Sequence, residues 1–166
     1  LYISRLAREQ GIKVLLSGAG GDDLFTGYRR HVAVNYERYW TCLPKWLRSG
    51  LEQTTGSMDQ RNPLFRRLAK GFSGAGLEGD ERLTNYFLWT KESQLQSLYT
   101  PEFLACLGQE SADKPMLDFL SPLPASVKSL DKMLALEQRF FLADHNLNYT
   151  DKMSMAEGVE VRVPFL

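Results

Sequence analysis

Residues Lys13 to His31, KVLLSGAGGDDLFTGYRRH, hold the densest chemistry of the chain. Val14, Leu15 and Leu16 run into Ser17, then Gly18, Ala19, Gly20 and Gly21, and two aspartates follow at 22 and 23. Glycines after a strand let an anion approach the main chain, because no Cβ stands in its way. Carboxylates at the edge of such a gap would repel a phosphate. A divalent cation removes the conflict, since Mg²⁺ takes oxygens from one or two carboxylates and from phosphates together. On that reading the N–H groups of Ser17 to Gly21 meet phosphate oxygens and Asp22 ligates magnesium. A plainer reading makes the glycines a tight turn and Asp22 or Asp23 the cap of the next helix. That cap is worth ~0.3–1 kcal/mol against the helix dipole. The residues alone leave both readings open.

Neighbouring signatures are excluded. No Gly-Lys-Ser/Thr follows the glycines, and after Gly18 and Gly20 the third glycine of a dinucleotide fingerprint is replaced by Asp23. The letters SGAG recur at Ser73 to Gly76 with no strand before them, so the tetrapeptide has weight only in context.

The elements that must position this turn follow from periodicity. Ile3, Leu6 and Ala7 predict a helix over 1–10 that stops at Gly11, and 12–16 reads as a strand buried on both faces. A helix restarts at Asp22 and runs through Leu24, Phe25 and Tyr28. Helix, strand, glycine turn and helix are the grammar of a parallel α/β sheet. From Tyr36 to about Leu130 the chain reads as mostly helical. Residues 72–79 form a loop, 80–93 a helix, Thr100-Pro101-Glu102 a helix start, and the proline-rich stretch 113–124 a connector. Met133, Leu136, Phe140, Ala143 and Leu147 predict an amphipathic helix over 131–147 facing a core. Val159, Val161 and Val163 alternate with Glu160 and Arg162, an extended segment ended by Pro164.

Bulk properties narrow the function. The 166 residues suffice for one domain, and equal counts of 20 acidic and 20 basic residues argue against a global field for nucleic acid. Two cysteines, Cys42 and Cys106, make no metal-ligand spacing and read as reduced thiols of a cytoplasmic protein. Two histidines, His31 and His145, cannot build a three-histidine zinc site. No apolar run reaches the ~18 residues of a membrane span. Arg29, Arg30 and His31 read as a solvated helix face, and His145 as a satisfied packing residue. Trp40, Trp46 and Trp89 suit a core or domain contact. The chain starts on Leu1 within a helical pattern and stops on the apolar VRVPFL, which reads as a piece of a longer protein.

Two stretches together resemble the asparagine synthetase family. VLLSGAGGDDLFTGYRRH is similar to its hydrophobic strand, Ser-Gly-acidic-Gly, small residue, Asp-Glu and Phe-x-Gly-Tyr. YTDKMSMAEGVEVRVPFL is similar to its Asp-Lys/Arg-Met-Ser-Met-Ala and Glu-x-Arg-Val-Pro-Phe-Leu segment. The order matches, with a helical insert between. The resemblance implies that residues 1–166 are part of a C-terminal synthetase domain. That domain is α/β, mostly helical in this portion, of Rossmann-like ATP pyrophosphatase (adenine nucleotide alpha hydrolase-like) fold, with one clear buried strand. The upstream pyrophosphate loop and the N-terminal glutaminase domain would lie outside it, so this portion alone would be inactive.

The implied activity is ATP-dependent amidation of aspartate to asparagine through an aspartyl-adenylate, with ammonia from glutamine and with ATP and Mg²⁺ as cofactors. The implied partners are these small molecules and the protein's own glutaminase domain. A homodimer is compatible, and neither nucleic acid nor a membrane is implied. By the same resemblance Ser17, Gly18, Gly20 and Gly21 bind the nucleotide and Asp22 the magnesium, while Asp23 stands where Glu is usual. Ala19 occupies the position of the acidic residue that helps deprotonate ammonium, so no catalytic residue is assigned. Asp151, Glu160 and Arg162 fall near the acceptor-adenylate pocket. By residue chemistry alone, Glu160 and Arg162 are an exposed pair worth ~0–1 kcal/mol and Asp151 a first-turn charge. Two alternatives remain beside aspartate amidation. One is an amide-forming synthetase acting on another carboxylate, including the ring closure of β-lactam synthetases. The other is a non-catalytic helical interaction domain.

Overall fold

The computed structural model describes residues 1–166 apart from 60, 91 and 109. The strand expected at 12–16 forms as β1 (Val14–Leu16), and its partner is β2 (Glu160–Arg162) from the far end of the chain. They run parallel, with Val14 opposite Glu160, Leu15 opposite Val161 and Leu16 opposite Arg162. Parallel strands need a long crossover, and here nearly the whole chain supplies it. The ladder extends past the strand ends: Glu160 N–H donates to Lys13 O and Ser17 N–H to Arg162 O, each at 2.9 Å. The two stretches richest in motif residues thereby become neighbours. β1 is not buried on both faces, contrary to its apolar run. Leu15 is half-buried, but Val14 is 40% and Leu16 75% exposed. Alternate residues share a face, so Val14, Leu16, Glu160 and Arg162 form one side that solvent reaches.

The chain forms two compact units, Leu1–Val32 with Leu130–Leu166, and Ala33–Ser129. In the first, α1 (Tyr2–Glu9) buries Ser4 and Ala7 and leaves Ile3 and Leu6 exposed. After the glycine turn comes α2 (Gly21–Phe25). The helix expected to run on to Tyr28 breaks at Thr26, whose φ of +63° is left-handed, and α3 (Arg29–Glu37) begins afresh.

The long helix expected over 131–147 is present but not uniform. α10 (Ser129–Leu136) passes into a π-helical stretch (Glu137–Leu147) and then into α11 (Asn148–Met155). The i→i+5 bonds of a π-helix hold more residues per turn than the 3.6 of an α-helix, so the inward face drifts. Met133 and Leu136 are buried as the pattern predicts. Beyond them Glu137 and Leu142 are buried, Phe140 and Leu147 are half-buried, and Ala143 is exposed.

The second unit is helical: α4 (Lys45–Ser57), α5 (Pro63–Phe72), α6 (Gly79–Asn85), α7 (Glu92–Gln96), α8 (Pro101–Leu107) and α9 (Lys114–Leu120). The helix expected over 80–93 ends at Asn85, and its Lys91 lies outside the described residues. The proline-rich connector contains α9, because Pro115 sits in the first turn, where a missing N–H costs nothing. Met116 and Leu120, four apart, then share its buried face. The second SGAG is a loop held by Glu52, whose carboxylate accepts from Gly74 N–H at 2.9 Å and Gly76 N–H at 3.5 Å. Arg82 donates to Glu37 at 2.6 Å and lies 4.3 Å from the Trp40 ring, while Trp46 and Trp89 are exposed rather than core residues. Cys42 and Cys106 are free thiols, both exposed. Among the described residues, no helix is long and apolar enough to cross a membrane.

Candidate functional site

The turn after β1 lines a cleft of about 270 Å³ with Ser17, Gly18, Ala19, Gly20 and Asp22. Its backbone is partly spent on holding its own shape. Ser17 N–H closes the sheet ladder, Ala19 N–H donates to Ser17 Oγ at 3.2 Å, and Gly21 N–H donates to Gly18 O at 3.1 Å. Of the five N–H groups expected to face an anion, those of Gly18 and Gly20 have no partner among the described residues. Gly20 has φ +86°, and a Cβ there would stand 3.1 Å from Leu166 Cδ2, so the closing VPFL packs directly on the turn. Phe165 adds an edge contact to Phe25, with centroids 6.0 Å apart. Asp22 is exposed, and its carboxylate receives no hydrogen bond among the described residues. It folds back over Gly27, where any Cβ would overlap it.

The opposite wall comes from the π-helical stretch and the start of α11: His145, Asn146, Tyr149 and Thr150. Asp23, only 1% exposed, anchors that wall to the turn. Asn146 Nδ2 donates to Asp23 at 3.3 and 3.5 Å and to Tyr28 Oη at 3.2 Å, and Tyr28 Oη donates to Asp23 Oδ2 at 3.3 Å. Burial pushes the Tyr28 hydroxyl above the usual tyrosine value, and the Asn146 amide donating to it offsets part of this. His145 Nδ1 lies 3.1 Å from Asn146 Oδ1. Its ring stacks on Phe141 at 5.0 Å and 13°, and on Tyr149 at 6.4 Å and 11°.

A buried ion pair supports this arrangement from behind. Glu137, fully buried, takes both arms of the Arg30 guanidinium, with Nη2 to Oε2 at 2.5 Å, and His31 Nε2 approaches Oε1 at 3.1 Å. The guanidinium lies 4.4 Å from the Tyr28 ring and 4.4 Å from the Phe141 ring. One cation thus holds the cleft-lining Tyr28 ring and the Phe141 ring on which His145 stacks. Arg30 and His31 are therefore not a solvated helix face. They reach inward because Glu137 gives them a partner that no local pattern announces.

The predicted site residues separate. Ser17, Gly18, Ala19, Gly20 and Asp22 come together at the cleft. Gly21 lies beneath the Phe165 ring. Asp151 is exposed, one residue past the cleft-lining Thr150. Glu160 and Arg162 pair with each other at 2.9 Å on the open face of the sheet and do not line the cleft. His145 is exposed at the cleft rather than packed in a core. Tyr28 and Tyr149 carry no assigned role in the sequence although both lie inside the motif stretches, and a 3.6-residue period gives no warning that a π-helical stretch turns His145 and Asn146 to the cleft.

Among the described residues, no three His, Cys, Asp or Glu side chains gather to enclose a metal. Mg²⁺ does not require such a cage, because it is held by one or two carboxylates plus substrate phosphates and water. A solvent-facing Asp22 to which none of the described residues donates, beside the Gly18 and Gly20 N–H groups, fits that mode.

The family model for asparagine synthase matches residues 1–166. A protein of Methanocaldococcus jannaschii named as a putative glutamine-hydrolyzing asparagine synthetase is 54% identical over 39 residues. That match covers 23% of this chain and 7% of the relative's length. No solved structure matches the chain. With the family model matched from end to end and the glycine turn and VPFL segment packed together, the chain belongs to the asparagine synthase family.

Proposed function

We propose that this chain is part of a longer amide-forming ligase, an asparagine synthetase-like enzyme that uses ATP to activate a carboxylate and ammonia to capture it. The proposed fold of the whole domain is the Rossmann-like ATP pyrophosphatase. The observation that carries the reading is the parallel β1–β2 pairing, which sets the glycine turn and the helical wall around one cleft. Ligands of parallel α/β sheets bind beyond the carboxyl ends of the strands, where this cleft lies.

In the proposed reaction the acceptor carboxylate attacks the α-phosphorus of ATP, releasing pyrophosphate and leaving an acyl-adenylate. Ammonia then forms the C–N bond and AMP departs. The open N–H groups of Gly18 and Gly20 receive phosphate oxygens. Asp22 would hold Mg²⁺, which neutralises the pyrophosphate charge when bound. Glutamine as the ammonia source, a glutaminase domain on the same polypeptide, a cytoplasmic setting and a dimeric state are further parts of the proposal.

Asp151 follows the cleft-lining Thr150, whereas Glu160 and Arg162 stand near the acceptor only if the whole protein covers the sheet's open face. Aspartate is the first acceptor to test. The methyl group of Ala19 favours keeping a second reading, an amide-forming synthetase for another carboxylate. ATP–pyrophosphate exchange by the full-length protein, with aspartate against a panel of carboxylates, separates the two. Exchange that depends on aspartate supports the first reading, and exchange with a different carboxylate supports the second. No exchange with any acceptor would overturn both and leave a non-catalytic domain.

A further inference from the structure

An ammonium ion cannot attack an acyl carbon until it loses a proton, so the cleft needs a proton acceptor, and Ala19 offers only a methyl group. The hydrogen bonds at Asn146 are directional. Asp23 only accepts, so the Asn146 NH₂ group must face it, as the contacts at 3.3 and 3.5 Å have it. The Asn146 oxygen is thereby turned to His145 Nδ1 at 3.1 Å. An amide oxygen also only accepts, so Nδ1 carries the ring proton and Nε2 holds the basic lone pair. The Phe141 and Tyr149 rings, within 13° of parallel, fix the imidazole plane.

We propose that His145 is the proton acceptor for the amine nucleophile, with Asn146 and the buried Asp23 as positioning residues that set its tautomer. The proposal rests on the amide-forming reading above. It has the logic of a base oriented by a buried carboxylate, with an amide interposed between the two. In the step, Nε2 takes one proton from ammonium and becomes imidazolium. The freed nitrogen pair forms the C–N bond at the acyl carbon. The C–O bond to the phosphate breaks with its electrons going to AMP, and the second proton leaves to solvent. The groups that line the cleft with His145 suit a transient cation. Asp22, Asp23 and Tyr28 come from α2 and the segment after it, and Tyr149 from α11. Asp144, on its own helix, is 3.8 Å from Arg139.

Hydroxylamine supplies the test, because it is already uncharged near neutrality and needs no base. In the full-length protein, with a carboxylate that supports exchange, His145→Gln should lower ammonium-dependent amide formation by ~10²–10⁴-fold. Hydroxamate formation and ATP–pyrophosphate exchange should fall far less. Equal loss of amide and hydroxamate would overturn the role of His145 while leaving the ligase reading intact. Absence of exchange in the unaltered protein would instead remove the ligase reading. Independently of activity, ¹⁵N NMR of histidine-labelled protein should find the His145 proton on Nδ1, and Asn146→Leu should move it toward Nε2. A proton already on Nε2 in the unaltered protein would overturn the positioning network, and with it the proposal.

Discussion

Replacing Glu137 by alanine tests the ion pair that backs the cleft. Glu137 is fully buried, and it neutralises Arg30 through two parallel contacts while also meeting His31. Removing one partner of such a pair costs ~3–5 kcal/mol, because the other charge stays behind. The Arg30 side chain is 18% exposed and can recover part of its hydration, which argues for the lower end of that cost. His31 is 1% exposed and cannot. Its Nδ1 already has no hydrogen-bond partner among the described residues, so losing Glu137 strips the ring of its bond and moves the cost back up within that range. The expected total is about 3–5 kcal/mol. With a urea m-value of about 2 kcal/mol/M, the unfolding midpoint falls by roughly 1.5–2.5 M.

The companion variant carries Glu137→Leu with Arg30→Met. It removes both charges and keeps apolar bulk between Tyr28 and Phe141, so the remaining cost should fall to that of His31 left without its partner, about 1–3 kcal/mol. Urea unfolding of the full-length protein, followed by tryptophan fluorescence, measures both. A single variant within ~1 kcal/mol of the original, or a double variant weaker than the single, would refute the argument that burial makes this pair costly to split.

Three further outcomes are expected. Gly20→Ala should cost ~1–3 kcal/mol, since φ +86° is left-handed and the new Cβ meets Leu166; adding Leu166→Ala should recover only the contact part, and full recovery would contradict the backbone component. Gly27→Ala must displace the Asp22 carboxylate, so the Mg²⁺ needed for half-maximal exchange should rise roughly tenfold; an unchanged requirement would remove Asp22 from the cation site. The Glu102 carboxyl is held below the usual glutamate value by its own backbone N–H and then by Thr100. Its stabilisation of α8 is therefore present above the unfolded-state value and is lost as pH falls through the lower folded one. Thr100→Ala should shift the side-chain NMR titration of Glu102 upward, and a titration that stays put would exclude Thr100 as a cause.

The second SGAG illustrates what a local pattern can and cannot say. Both copies form turns, as glycine content requires. Only the copy after a strand opens on a cleft, while the copy at 73–76 spends its amides on the Glu52 carboxylate. The helical periods at Met133 and Leu136 were legible because α-helical burial repeats within the window being read. The burial of Leu142 and the exposure of Ala143 were not, because the π-helical stretch resets the period without a residue type to mark it. Likewise Arg30 and His31 look like surface residues until Glu137, more than a hundred positions away, is brought against them.

By itself, then, the sequence determined the strand, the glycine turn, most helix starts and the motif pair that identifies the family. These depend on steric limits and hydrogen-bonding habits of neighbouring residues. Tertiary structure alone decided that β2 lies beside β1, that Leu166 closes over Gly20, and that His145 faces the cleft through Asn146 and Asp23. Those contacts join residues far apart in the chain, and their geometry exists only after the chain has spent conformational entropy to bring them together.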